Sequence, residues 1–119
     1  MKLKLSQLIG MRGSLIKLLE KDMPIKQSYN LARFIKQANT ELEQFEQHRI
    51  KLVNKYGERD EQGNVSVAEL RQGEFMNELN ELTEMEIDFP HFRPIKLADL
   101  RNITLSTNDT LGLVDIIEE

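Results

Sequence analysis

An α+β, mostly helical fold, built on a long helical hairpin with short strands gathered at one end, is what three features of this 119-residue sequence predict. A heptad-like apolar stripe runs from Leu31 to Tyr56, a second helical stripe follows Gly73, and short alternating segments flank both. Apolar residues make up 39% of the chain, enough for one modest core, so residues 1–119 are read as a single domain.

Met1 to Leu5 alternates apolar and basic residues, which suits a short strand with its lysines outward. From Ser6, a candidate N-cap, Leu8, Ile9, Leu15, Ile16 and Leu19 recur at helical spacing up to Asp22. Gly10 and Gly13 weaken its first half, each costing about 1 kcal/mol relative to Ala in a helix interior. Met23-Pro24 closes this pattern, and Pro24 or Ile25 opens the next helix, since proline disfavours helical geometry in the residue before it and suits a first turn.

The second helix carries Leu31, Ile35, Ala38, Leu42, Phe45, Arg49, Leu52 and Tyr56 at alternating four- and three-residue steps, with Phe34 and Val53 widening the stripe. About thirty residues at 1.5 Å each span nearly 45 Å, so the stripe is expected to need another long element or a second copy of the chain to cover it. Gly57 is placed to end it. A polar turn to Asn64 then leads into Val65-Ser66-Val67, which alternates like a strand.

The stripe after Gly73, Phe75, Met76, Leu79, Leu82 and Met85, predicts an antiparallel partner for the long helix. Ile87 to Phe89 and Ile95 to Leu97 look like edge or extended pieces, because Pro90 and Pro94 exclude a regular central strand. Ile103 to Leu105 is extended. Ser106 with Asp109 three residues later then starts a last helix carrying Leu111, Val114, Ile116 and Ile117.

Composition narrows the function classes. The chain has no Cys and two His, His48 and His91, which removes disulfides, thiolate sites and histidine-built metal centres. No apolar run approaches the roughly 18 residues of a membrane span and no secretory signal is apparent, so a soluble, cytoplasmic protein with no membrane partner is expected. Net charge is −4, yet residues 1–56 hold eleven basic and five acidic side chains (+6) while residues 57–119 hold five and fifteen (−10). Basic and acidic helices that complement each other within the chain explain this polarity without a partner. If Lys17, Lys21, Lys26, Arg33 and Lys36 share an exposed face, it instead marks an interaction surface for an acidic partner or for the acidic half of another copy.

Glu58 to Glu69 can be aligned on a calcium-binding loop with Gly63 at its sixth place, but Glu58 stands where Asp is normally required and no second loop exists, so a plain polar turn is preferred. Arg49 reads best as an amphipathic stem paired with a glutamate of the acidic helix, and His91 as a surface-loop residue without a catalytic companion. Glu74, Glu78, Glu81 and Glu84 have the spacing of a solvated helix face. No phosphate-binding glycine loop or nucleophile elbow occurs, so no enzymatic activity and no cofactor are expected.

Several runs carry a resemblance: Met23-Pro24-Ile25-Lys26, Ser28-Tyr29, Leu31-Ala32, Phe45-Glu46 and Arg49, Lys55-Tyr56-Gly57-Glu58, Asp60-Glu61, Gly63-Asn64 and Pro94-Ile95-Lys96-Leu97-Ala98-Asp99-Leu100. Together they resemble an uncharacterised family of small proteins from phages and prophages of Gram-positive bacteria, over most of the chain. The resemblance implies a source and assigns no functional residues; family members often carry Ser where this chain has Ala98. The expected function is a non-enzymatic protein–protein interaction or assembly accessory module, with a host or phage protein as partner and self-association through the long stripe. The alternative is a nucleic-acid-associated regulator using the basic N-terminal half.

Overall fold

Alternation at the N-terminus becomes strand β1 (Lys2–Lys4), which buries Leu3 and turns both lysines outward. A computed structural model describes all of residues 1–119 and shows a mostly helical α+β chain with extents of 53 × 28 × 20 Å. Helix α1 (Leu5–Leu19) starts one residue before Ser6 and stops short of Asp22. Lys4, not Ser6, takes the cap position, and its N–H donates to Gln7 Oε1 at 2.8 Å. Leu5, Leu8, Met11, Leu15 and Leu18 are buried. Gly10 and Gly13 fall on the exposed side, and packing of the buried stripe carries the helix through them.

Pro24, at φ −53° and ψ 145°, leads into α2 (Ile25–Tyr56), a helix of 32 residues. Its stripe divides in two. Leu31, Phe34, Ile35, Ala38 and Leu42 are buried against α1 and the segment around Phe89 and Phe92, while Phe45, at the edge of that core, and Arg49, Leu52 and Val53 beyond it are half-buried, Leu52 in a cleft beside the third helix. Several short elements thus share the seam, so its length does not require a second copy.

Gly57 ends α2 and begins β2 (Gly57–Arg59), which pairs antiparallel with β3 (Val65–Val67) in the register Gly57↔Val67 and Arg59↔Val65. A Cβ at Gly57 would collide with the Val53 carbonyl oxygen and the Val65 side chain, so only glycine allows β3 to lie this close to the end of α2. Gly63 takes φ +82° in the turn, and the Asp60 carboxylate accepts the N–H groups of Gln62 and Asn64, both at 2.9 Å.

A 3-10 turn, Glu69–Arg71, leads into α3 (Gln72–Thr83). It runs antiparallel to α2: Lys55 meets Glu78 at 3.0 Å, and the Tyr56 and Phe75 rings meet edge-on at 6.4 Å. No α3 residue is fully buried. With the β2–β3 hairpin, α3 and the part of α2 beyond Leu42 form an arm whose one buried side chain is Tyr56.

Strand β4 (Glu86–Asp88) returns to pair antiparallel with β1, Leu3 opposite Ile87. After the loop to Pro94, β5 (Ile95–Lys96) pairs in parallel with β6 (Ile117–Glu118). The β1–β4 and β5–β6 pairs lie at the core end of the molecule, and β2–β3 lies at the far end of α2. Residues 103–105 are unpaired.

The last helix is shorter than its sequence suggests. Ser106 does cap α4 (Thr107–Leu111), its Oγ accepting the Asp109 N–H at 3.0 Å, but the helix ends before Gly112 and does not continue to Ile117. Gly112 packs against Ser14 of α1 where a Cβ would collide with the serine side chain. A 3-10 turn, Val114–Ile116, follows, so that Leu113 and Ile116 enter the core and Ile117 joins β6. The resulting cluster of 17 buried apolar residues extends along α2 only as far as Leu42. No helix is long and apolar enough to cross a membrane.

Candidate functional site

Lys26, Tyr29, Asn30, Arg33, Lys36 and Gln37 follow one another by one to four residues and fall on one side of α2, because steps of three and four return to the same face of a helix. The segment 88–94, from the end of β4 through the following loop, lies along that side and is fixed at three places. Phe89 and Phe92 close on Phe34, with ring centroids 4.7 and 4.4 Å away. Gln37 Nε2 donates to the Asp88 carbonyl at 2.8 Å, and Asn30 bonds to the backbone of Arg93.

Between helix and loop runs a groove made of two adjoining clefts that share Tyr29, Asn30, Arg33 and His91, with Phe34 and Phe92 lining the first. Arg33 and Lys36 line the first cleft, and Lys26, Arg33, Arg93 and Lys96 line the second, with Asp99 as its one acid. All five cations are exposed and none takes part in an ion pair. The Arg33 guanidinium lies 5.8 Å from the Tyr29 ring centroid, and Tyr29 itself is 64% exposed. His91 also faces the groove but makes no hydrogen bond to a carboxylate or hydroxyl. Such an arrangement has the chemistry to accept anionic groups beside an aromatic ring.

Of the basic residues singled out in the sequence, the fold brings Lys26, Arg33 and Lys36 together here. Lys17 and Lys21 are exposed on α1 and just after it and do not line the groove. Sequence reasoning missed Arg93 and Lys96. The available signal was the pair Phe89 and Phe92 among prolines, which marks a loop anchored by aromatics without saying on what.

Elsewhere four ion pairs form. Three pairs join the basic and acidic halves: the Met1 amino group with Asp88 at 3.9 Å, Lys4 with Glu84 at 2.7 Å, and Lys55 with Glu78. The Glu84 hydrogen bond raises Lys4 above the usual lysine range, and the Lys55 hydrogen bond holds Glu78 below the usual carboxylate range. Arg49 departs from expectation: it pairs with Glu46 of its own helix, three residues back, through Nε at 3.0 Å, and not with the acidic helix. That bond lowers the Glu46 carboxyl and raises the guanidinium. His48 lines a shallow cleft between α2 and α3 where Lys51 and Lys55 face Glu78 and Glu81.

Residues Glu58 to Glu69 form the β2–β3 hairpin and its exit, not a helix–loop–helix, and Asp60 is turned onto its own backbone. No three His, Asp or Glu side chains converge with metal-site geometry. Compared with protein-family models, curated proteins and solved structures, the chain matches none.

Proposed function

We propose that this chain is a phage- or prophage-type, non-enzymatic interaction module that docks an acidic segment of a protein partner in the groove along α2, within the cytoplasm of a bacterial host. The observation that carries the docking reading is the placing of five cations without ion-pair partners along two adjoining clefts that share Arg33 and Tyr29. The phage-type source rests on the sequence resemblance alone.

Unpaired surface charges speed and orient encounter more than they add affinity, so an apolar anchor is also needed. Tyr29 on the groove and Ile25 one turn before it, 81% exposed, supply candidates. A second reading, a nucleic-acid-associated regulator, draws on the same cations and on Tyr29 as a stacking surface. Whole-chain charge favours the protein partner: at −4, with unpaired acids along the arm, the molecule repels a long polyanion more than a short acidic segment.

The test is fluorescence anisotropy with a labelled Asp/Glu-rich peptide and a labelled single-stranded oligonucleotide, each at low and physiological salt. The peptide should bind, and Arg33→Gln/Lys36→Gln should weaken it about tenfold or more, as expected for losing about 1.4 kcal/mol or more of interaction. Tighter binding of the oligonucleotide would shift the assignment to the regulator. Binding of neither probe at low salt would overturn the groove as a docking site.

A further inference from the structure

The groove has a counterpart on the same molecule that it cannot reach. At the free end of the arm, Glu58, Glu61 and Glu69 are exposed and form no ion pair. Asp60 is occupied by its own turn, and Arg71 is folded back over the Tyr56 ring at 4.8 Å, which leaves Arg59 as the one free cation there. Beside Glu69, Leu70 is 98% exposed, the most exposed large apolar side chain of the protein. The hairpin end thus offers unpaired acids with an apolar residue, and the groove offers unpaired cations with Tyr29, Ile25 lying exposed one turn before it.

From Arg33 to Gly57 the chain runs as one continuous helix, so about 36 Å separate groove and hairpin end at 1.5 Å per residue. The two surfaces therefore meet only between molecules. We infer that the acidic segment docked in the groove is the β2–β3 hairpin end of a second copy of this chain, in a head-to-tail contact. The inference rests on the docking reading of the groove and names its occupant.

A contact of this kind joins two different patches, so every added copy leaves one groove and one hairpin end open. It builds strings, or rings where the rotation closes, and not the two-fold dimer that a shared helical seam would give. Because the matched groups are exposed charges, assembly weakens as salt rises.

Sedimentation velocity on the full chain across micromolar concentrations tests this, with two variants confined to exposed residues: Arg33→Gln/Lys36→Gln in the groove and Glu58→Gln/Glu61→Gln at the hairpin. The wild-type mass should rise with concentration and fall with salt, and each variant should sediment as one chain. An equimolar mixture of the two variants should give a two-chain species and nothing larger, since one supplies the intact hairpin and the other the intact groove. A wild type that stays one chain at low salt overturns the inference, as do variants that assemble like wild type. If the wild type stays one chain while the groove still binds the acidic peptide, the docking reading survives and only the self-partner is lost. A single chain that binds no peptide removes both.

Discussion

The Asn30 side chain holds both backbone polar groups of Arg93, donating from Nδ2 to the carbonyl oxygen at 2.9 Å and accepting the N–H at Oδ1 at 3.3 Å. One amide thus satisfies a stretch of loop that has no sheet partner, and it does so across 63 residues of sequence.

Asn30→Ala should therefore cost about 1 kcal/mol of stability, the usual net worth of such bonds, and should weaken the acidic peptide because Arg93 loses its fixed position. Urea denaturation and anisotropy on the same variant check the two effects. Unchanged peptide affinity with lowered stability would show that the loop's placement does not matter to the groove.

Phe34 lies between Phe89 and Phe92, so removing it unpacks both loop anchors at once. Phe34→Ala should cost about 3–5 kcal/mol, a large part of the roughly 5–15 kcal/mol expected of a domain this size. Phe34→Leu, which leaves much of the volume, should cost less. Denaturant midpoints at constant slope separate the two.

Gly112→Ala places a methyl group against Ser14, and overpacking of this kind costs about 1–3 kcal/mol. Ser14→Gly/Gly112→Ala should be less destabilised than the sum of its single changes, because the first substitution makes room for the second. Additive losses in thermal or urea unfolding would mean that α1 and α4 are not in contact at this point.

Acid should loosen the arm through Glu78. Its carboxyl is held below the ordinary value by the Lys55 hydrogen bond, so the pair adds stability above the unfolded-state pKa near 4.5 and loses it as pH falls through the lower folded value. Glu78→Gln should be less stable than wild type at neutral pH and indistinguishable from it once the pH is well below that range. Thermal melts at a series of pH values report the convergence.

Helix α2 was legible in the sequence nearly residue by residue. Its stripe has eight positions over about seven turns, and Pro24 and Gly57 mark the helix ends. The antiparallel α3 and the Ser106 cap were legible for the same local reasons. β2 was not, because Glu58 and Arg59 are exposed on a two-stranded hairpin and carry no apolar alternation; the backbone ladder to Val65–Val67 alone defines the strand.

The early end of α4 was hidden for a different reason. Capping and periodicity favour continuation to Ile117, yet the helix stops where Gly112 lies against Ser14, nearly a hundred residues away, a contact that no local pattern signals. The groove was half legible: Lys26, Arg33 and Lys36 share a helix face by arithmetic, whereas Arg93 and Lys96 join them only through the packing of Phe89 and Phe92 on Phe34.

Helix α2 contains neither proline nor glycine between Ile25 and Tyr56, the residues at which helices usually kink. Its first half is clamped in the core and its second half carries the arm, so it acts as a strut with one end set in a foundation. A force on the hairpin end passes along the hydrogen-bonded backbone to Leu31, Phe34 and Leu42 with little bending between. Whatever binds at the two ends is thereby held at a fixed interval, as by a ruler.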